Sequence, residues 1–301
     1  MKNLNTLLKT SLFVAMTACS GLVVADPQPV STSVSTQADT VRYEAFDVTV
    51  VGEGRPVLLI PGLSSSSSVW DSTVAALRDD YELHVFNLAG FAGVPAASPE
   101  KVGSSFLAYQ KRAIAQYIKN QQLEGTVVIG HSLGGFLSLW LATDENTPVV
   151  AAITVDGLPS LGALFGQRPS GDSAPAAEQA FDPKMIAKSM ANNTEWHDKI
   201  VGDMMGSDPM TAGRAMGELM QFDIRKDLAN VAIPTLTIGA PAQGQPYVSY
   251  EQTQANYESQ FTALSPEWNH MAFAKTSKHF IMADEPEWLN EQITAFLSEL
   301  K

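Results

Sequence analysis

The stretch Thr126-Val127-Val128-Ile129-Gly130-His131-Ser132-Leu133-Gly134-Gly135 decides how the rest of the chain is interpreted. Residues 126–129 are a continuous run of β-branched side chains, which predicts a buried strand. An apolar helix is predicted over residues 136–142. The glycines and the serine between them therefore fill a sharp turn, where a side chain at Gly130 or Gly134 would collide. The pattern G-x-S-x-G in this context predicts that Ser132 is an exposed nucleophile at the end of a strand.

Outward from this turn, strand-like and helix-like stretches alternate from Val41 to the end of the chain. Such alternation is typical of an α/β fold, in which a mainly parallel sheet is flanked by helices. Alternating or continuous apolar runs predict further strands over residues 42–51, 57–60, 81–88, 149–155 and 235–238. Helical spacing of apolar residues predicts a helix over residues 104–121 and a last helix that carries Leu289, Ile293, Phe296, Leu297 and Leu300 on one face.

The alternation stops between Gly157 and Leu228. Residues 157–228 are predicted to form helices of their own, inserted as a cap after the sixth strand of the sheet. This segment holds seven of the eleven methionines, whose flexible side chains adapt to varied apolar shapes. The methionines are expected either to line an acyl-binding pocket or to fill the interior of a small helical subdomain. For any single methionine we favour interior packing.

A serine hydroxyl needs a neighbouring base to become nucleophilic, and the chain has five histidines. Four of them are expected elsewhere: in a strand core (His84), turned away from the serine (His131), in the polar part of the insertion (His197) and on a late strand (His270). His279 instead lies in a loop that precedes a predicted helix start, with Asp284 as the cap and Glu287 three residues on. This position makes His279 the candidate general base.

The chain resembles the α/β-hydrolase superfamily, in particular serine esterases with a cap insertion. The similarity lies in four parts that occur in the order of that family: Ile60-Pro61-Gly62-Leu63, the turn at Ser132, Pro234-Thr235-Leu236, and His279-Phe280-Ile281-Met282 with Pro286-Glu287. The resemblance implies a core over residues 41–156 and 229–301, with Ser132 as nucleophile and His279 as base. It also implies an oxyanion hole made by the backbone amides of Leu63 and Leu133, although Pro61-Gly62 replaces a common His-Gly pair.

The carboxylate that would complete such a triad is harder to assign. In the family it usually follows the strand at residues 235–238, but residues 239–250 contain neither Asp nor Glu. Asp156 ends the preceding strand, a position that some members of the family use, and both strand ends open on the same face. We therefore expect Asp156 to orient His279. The alternatives are a turn-capping role for Asp156 and a catalytic role for Glu251.

The amino terminus differs from the rest of the chain. An apolar run over residues 11–24, ending in small residues before Asp26, predicts a cleaved signal peptide over residues 1–25. The run is too short for a membrane span, and a periplasmic or secreted protein is expected. Cys19, the only cysteine, is an alternative site for a lipid anchor. Residues 26–40, rich in Ser, Thr, Pro and Gln, are expected to be a flexible lead-in.

The formal net charge is −13, and it becomes −15 without residues 1–25, which contain two lysines and no acidic residue. No basic stretch offsets this charge, so nucleic acid is not an expected partner. The sequence has no pattern typical of a metal site or a dinucleotide loop, so neither a metal nor an organic cofactor is expected. We predict a serine hydrolase that cleaves the carboxylic ester of a small acyl-type substrate through an acyl-enzyme. The alternatives are an amidase, lactonase or peptidase on the same scaffold, and a non-catalytic hydrolase-like binding protein.

Overall fold

The computed structural model describes residues 40–165, 182–244 and 248–300. The predicted signal peptide, Cys19 and the lead-in up to residue 39 lie outside these ranges. Within the described residues the strands are Thr40–Arg42 (β1), Phe46–Val51 (β2), Arg55–Ile60 (β3), Tyr81–Leu88 (β4), Thr126–His131 (β5), Val149–Val155 (β6), Thr235–Gly239 (β7) and Asn269–Phe273 (β8).

These strands form one sheet in the order β1-β2-β4-β3-β5-β6-β7-β8. The pairs β1–β2 and β2–β4 are antiparallel, and all other neighbours are parallel. In β3, Leu58 and Ile60 pack in one hydrophobic cluster, whereas Val57 and Leu59 pack in a second cluster on the opposite face. Successive side chains of a strand point to opposite faces. The continuous apolar run is therefore explained by a sheet that is covered on both sides.

The single strand predicted over residues 42–51 is wrong in one respect. The chain turns after Arg42, and β1 and β2 form an antiparallel hairpin in which Arg42 lies opposite Asp47. Two hydrogen bonds join the guanidinium of Arg42 to the carboxylate of Asp47, at 2.8 and 2.6 Å. The turn is closed by the backbone bond from Tyr43 to Phe46. Period-two alternation continues across such a turn, which is why the sequence pattern did not reveal it.

The helices cover both faces of the sheet. They are Asp71–Leu77 (α1), Pro99–Val102 (α2), Phe106–Asn120 (α3), Leu133–Ala142 (α4), Pro183–Met190 (α5), Glu195–Met205 (α6), Pro209–Gln221 (α7), Tyr250–Gln260 (α8), Ile281–Asp284 (α9) and Pro286–Glu299 (α10). Helices α3 and α4 contribute to the first hydrophobic cluster, and α1 and α10 contribute to the second. The predicted apolar face of the last helix is confirmed for Leu289, Ile293, Phe296 and Leu297, which are buried, whereas Leu300 follows the end of α10 and is half-buried.

Helices α5, α6 and α7 lie between β6 and β7, inside the segment predicted as an insertion. They belong to the same compact unit as the sheet. The boundaries of a cap domain at residues 157 and 228 stay a prediction. None of the helices in the described part of the chain is long and apolar enough to cross a membrane.

Candidate active site

Ser132 occupies a strained turn between β5 and α4. Its φ angle is +54°, which residues with a side chain rarely adopt. The turn is so tight that a Cβ atom at Gly130 would collide with the carbonyl of Gly134, and one at Gly134 with the carbonyl of Ile60. Helix α4 begins at Leu133, three residues earlier than predicted. The chain is thus forced to reverse at Ser132, whose half-buried side chain lines a cavity.

Asp156 follows β6 in the way that Ser132 follows β5. Its φ angle is +49°, and its side chain is fully buried. The Nδ1 atom of His279 lies 2.6 Å from Oδ2 of Asp156, a short distance typical of a charge-assisted hydrogen bond. Since a carboxylate accepts, Nδ1 carries the proton, and Nε2 remains as the nitrogen that can take another. The structure therefore brings Ser132, Asp156 and His279 to the same cavity.

The second carboxylate oxygen of Asp156 is also engaged. Its Oδ1 atom accepts hydrogen bonds from the backbone amide of Ala240 at 2.8 Å and from the hydroxyl of Tyr257 at 2.5 Å. Tyr257 is buried on α8, about a hundred residues away in sequence, and sequence reasoning missed it. No local signal could have identified it, because its position depends on how α8 packs beside the end of β7. These contacts fix the carboxylate in the orientation that meets His279.

His279 lies in the loop between β8 and α9, as predicted. The prediction that Asp284 caps the last helix is wrong, because α10 begins at Pro286 and Glu285 occupies its N-cap. Asp284 instead accepts the backbone amide of Lys278, next to His279, at 2.8 Å. Its other oxygen accepts the amides of Asn192 and Asn193, between α5 and α6, at 2.8 and 2.9 Å. Asp284 thus holds the histidine loop and joins it to the inserted helices.

The other histidines are engaged elsewhere or exposed. His84 is buried in β4 and its ring is bonded to the Tyr117 hydroxyl and the Glu82 carboxylate, as expected for a packed histidine. The Nε2 atom of His197 lies 3.0 Å from the carbonyl of Ala191. His270 is exposed on β8.

His131 is buried beside the candidate base without bonding Ser132. Its Nε2 atom lies 3.0 Å from the carbonyl oxygen of His279, so Nε2 carries the proton and donates it there. The two imidazole rings are 4.6 Å apart between centroids, and Nδ1 of His131 has no hydrogen-bond partner among the described residues. Burial, with a smaller contribution from the nearby His279, lowers the pKa of His131 to about 3, against the opposing effects of Asp156 and of the bond to the carbonyl of His279. His131 therefore stays neutral and supports the backbone of His279.

The two predicted oxyanion-hole residues line the same cavity as Ser132. Leu133 is the first residue of α4, where a backbone N–H has no partner within the helix. The loop that carries Leu63 passes close to the serine, since a Cβ atom at Gly62 would lie 3.1 Å from Cβ of Ser132. Glycine at position 62 allows this approach. It corresponds to the glycine of the common His-Gly pair, whose histidine is replaced here by Pro61.

The cavity has a volume of about 1260 Å³ and lies under α5, α6 and α7. Four of the seven methionines of residues 157–228 line it: Met190, Met204, Met205 and Met216. Interior packing, favoured for any single methionine, is wrong for five of the seven because their side chains are exposed: Met185, Met205, Met210, Met216 and Met220. The pocket-lining alternative fits four of the set. The cavity is large compared with the usual range of roughly 300–1000 Å³ for small-molecule sites.

Glu251, the alternative acid, lies in the first turn of α8, is exposed and does not line the cavity. The site thus offers a single carboxylate to His279 among the described residues. Within the same residues, no three His, Cys, Asp or Glu side chains lie close enough together to hold a metal ion.

Several known proteins that are similar to this chain are hydrolases. The model of the alpha/beta hydrolase family matches residues 57–292. The pimeloyl-[acyl-carrier protein] methyl ester esterase of Vibrio cholerae is 25% identical over 211 residues, which cover 63% of this chain and 76% of the esterase. A putative carbamate hydrolase of Azorhizobium caulinodans is 23% identical over 261 residues, which cover 83% of this chain and 93% of that protein.

A hydrolase of known structure from Pseudomonas aeruginosa PA01 has the same fold. It superposes with a TM-score of 0.68 at 15% sequence identity. The superposition covers 87% of this chain and 99% of the chain from Pseudomonas aeruginosa. The superposition and the family match confirm the α/β-hydrolase fold predicted from the sequence.

We expect His131 to make the protein sensitive to mild acid. Its pKa is lowered in the folded state, so below pH 6.5 the unfolded chain binds a proton that the folded chain excludes. The free energy of unfolding should fall by up to about 1.4 kcal/mol per pH unit below that value. His131→Gln, which retains a donor for the carbonyl of His279, should lose less stability. Urea unfolding at pH 7.5, 6.0 and 5.0 measures this, with the exposed His270→Gln as control. If the free energy of unfolding falls equally with pH in the wild type and in His131→Gln, His131 is not the cause of the acid sensitivity.

Proposed function

The chain belongs to the alpha/beta hydrolase family, and on this premise we propose that it is a serine hydrolase that cleaves a carboxylic ester through an acyl-enzyme. One observation carries the proposal: Nδ1 of His279 is bonded to the buried carboxylate of Asp156 at 2.6 Å, and both residues line one cavity with Ser132. The histidine is thereby oriented and keeps one nitrogen for proton transfer. The name of the relative from Vibrio cholerae, a methyl ester esterase, favours an ester as the bond cleaved.

In the proposed reaction, the hydroxyl oxygen of Ser132 attacks the ester carbonyl while Nε2 of His279 takes the hydroxyl proton. The histidine then returns that proton to the alkoxy oxygen, which leaves as the alcohol when the bond to the acyl carbon breaks. Water attacks the acyl-serine by the same route and releases the acid. Asp156 holds the Nδ1–H tautomer throughout and stabilises the positive charge that forms on the ring.

The negative charge that develops on the carbonyl oxygen needs donors that are already in place. The backbone amides of Leu63 and Leu133 are our proposed donors. Leu133 begins α4, so its amide also lies at the positive end of a helix dipole. Because backbone donors do not depend on side-chain identity, the replacement of His-Gly by Pro61-Gly62 does not remove them.

Two alternatives differ in chemistry. Fold and triad do not decide the leaving group, so an amide or a lactone remains a second substrate class. The name of the putative carbamate hydrolase fits this breadth, since a carbamate carbonyl carries both a nitrogen and an oxygen substituent. A non-catalytic binding protein was suggested by the missing carboxylate after β7. The hydrogen bond between His279 and Asp156, the residue after β6, supports the catalytic alternative instead.

We also propose that the protein is exported to the periplasm or beyond. The support is the sequence of residues 1–25, with its short apolar run and the small residues Val23-Val24-Ala25 before Asp26. A small acyl-type substrate is the expected partner, and neither nucleic acid nor a cofactor is required by the proposed reaction.

Ser132→Ala should abolish ester hydrolysis and covalent labelling by a fluorophosphonate. Loss of a triad nucleophile costs on the order of a million-fold in turnover. Hydrolysis of p-nitrophenyl esters and intact-mass detection of the phosphonylated serine measure the two effects. Undiminished labelling of Ser132→Ala would show that another residue is the nucleophile.

Asp156→Asn should lower kcat by roughly ten-thousand-fold, because the imidazole can then adopt the wrong tautomer. Glu251→Gln, at an exposed position of α8, is the matched control and should leave kcat near that of the wild type. Melting temperatures of both variants identify any unfolding. If Asp156→Asn retains most of its kcat and only melts earlier, Asp156 is a structural residue and not the triad acid.

The mature protein should begin at Asp26 and carry no lipid. Cleavage after Ala25 removes Cys19, the only possible attachment site in a chain with one cysteine. Intact-mass measurement of protein from the exported fraction of its native host tests this. A chain that starts at Cys19 with the added mass of a diacylglycerol group would instead make it a lipoprotein.

A further inference from the structure

The cavity at Ser132 has an apolar wall formed by α7 together with the segment that follows β6. Leu158, Leu161, Leu164 and Leu219 line the cavity and belong to, or pack against, the first hydrophobic cluster. Met216 lies on the same helix and lines the cavity with them. We call these five residues the α7 wall. It continues the apolar packing of one face of the sheet up to the site.

A second apolar wall lies on the side of α5 and α6. Met190, Trp196, Ile200 and Met204 line the cavity and belong to, or pack against, the second hydrophobic cluster. We call these four residues the α6 wall. The cavity is therefore lined by apolar residues from both hydrophobic clusters, one on each face of the sheet.

The reacting groups lie where these walls meet. A Cβ atom at Gly157 would lie 2.7 Å from the carbonyl oxygen of Ser132, so the serine neighbours the segment that leads into the α7 wall. The ring of His279 contacts Phe280, with centroids 5.6 Å apart, and Phe280 belongs to the second cluster with the α6 wall. The serine thus neighbours the segment of the α7 wall, and the histidine neighbours a residue of the cluster to which the α6 wall belongs.

The charged side chains that line the cavity are already paired within the protein. Nζ of Lys199 donates to the carbonyl of Ser68 at 2.6 Å and lies 4.0 Å from the ring centroid of Trp196. Asp203 accepts the amide and hydroxyl of Ser66 at 2.8 and 2.7 Å. A charged substrate group would lose its water here, and the lysine and the aspartate that could meet its charge are already hydrogen-bonded within the protein, which makes its burial unfavourable.

From these contacts we infer that the substrate is an uncharged ester whose acyl and alcohol parts are both apolar, each lying against one of the two walls. This inference rests on the proposed esterase function. A methyl ester would leave one wall uncovered, whereas groups of several carbons on both sides would bury both. The flexible methionines of each wall would adapt to the shape of these groups.

Five esters that differ in the length of the acyl group, the length of the alcohol group or the charge test the inference: ethyl acetate, ethyl hexanoate, hexyl acetate, hexyl hexanoate and monoethyl adipate. Burial of one methylene is worth up to about fourfold in kcat/KM. Lengthening either side from two to six carbons should therefore raise kcat/KM at least about tenfold, and hexyl hexanoate should be cleaved most efficiently. Monoethyl adipate, which matches the acyl length of ethyl hexanoate but ends in a carboxylate, should be at least about tenfold slower than ethyl hexanoate.

Two pairs of variants on α7 identify which side of the ester meets the α7 wall. Met216 and Met220 are both 39% exposed, but only Met216 lines the cavity. Met216→Asp should remove most of the rise in kcat/KM that one of the two six-carbon groups gives and should leave the rise from the other group. Met220→Asp should leave both rises unchanged. Gly213 and Gly217 each have free space for a side chain, but only Gly213 lines the cavity. Gly213→Phe should reproduce the loss, with Gly217→Phe as its control.

The outcomes separate this inference from the proposed function. Equal kcat/KM for ethyl acetate and ethyl hexanoate, a gain on one side only, or efficient cleavage of monoethyl adipate would overturn the inference while leaving the esterase intact. If Met216→Asp and Gly213→Phe each abolish the rise in kcat/KM from both six-carbon groups, the assignment of one group to each wall is overturned. The same holds if both variants leave both rises unchanged. Failure to cleave any of the five esters, with Ser132 unlabelled by a fluorophosphonate, would overturn the proposed function itself.

Discussion

The parallel register between β5 and β6 places Ser132 and Asp156 each one residue beyond the paired ends of the two strands, and the candidate site depends on it. His131 pairs with Val155 at the end of the ladder, so Ser132 and Asp156 follow at equivalent positions. The amide of Ser132 donates to the carbonyl of Val155, and the amide of Asp156 donates to that of Ile238 on β7. Each turn is thus attached to the next strand before the chain leaves the sheet. A slip by one residue would send these side chains to the other face.

Both turns pay for this arrangement with an unfavourable backbone conformation. A positive φ costs a residue with a side chain about 1–2 kcal/mol, and Ser132 and Asp156 each have one. Burial and hydrogen bonding hold Asp156 in place. Its Oδ2 atom accepts a bond from His279, and its Oδ1 atom accepts bonds from Ala240 and Tyr257. At Ser132 the constraint is steric, since the backbone contacts at Gly130 and Gly134 leave no wider path for the turn. Strain at such positions is typical of functional sites that their surroundings hold rigidly.

The histidine loop and the inserted helices are held by one set of contacts. Asp284 accepts amides from both, and the amide of Phe280 donates to the carbonyl of Met190 at the end of α5. From the other side, His131 donates to the carbonyl of His279. A displacement of α5 would therefore move the loop of the candidate base as well as the wall of the cavity. The shape of the cavity and the position of His279 are coupled through the backbone.

The sequence alone determined the fold class, the turn at Ser132 and the loop of His279, because each is encoded by neighbouring residues. Apolar runs mark strands, and glycines mark a turn too tight for side chains. The tertiary structure decided that Asp156, and not Glu251, meets His279. The distance from each carboxylate to His279 depends on how segments far apart in the chain are arranged in the sheet. It also decided the roles of Tyr257 and Asp284 and the orientation of the methionines. Local patterns carry no information about contacts between distant residues, and these contacts are made only when the helices pack against the sheet.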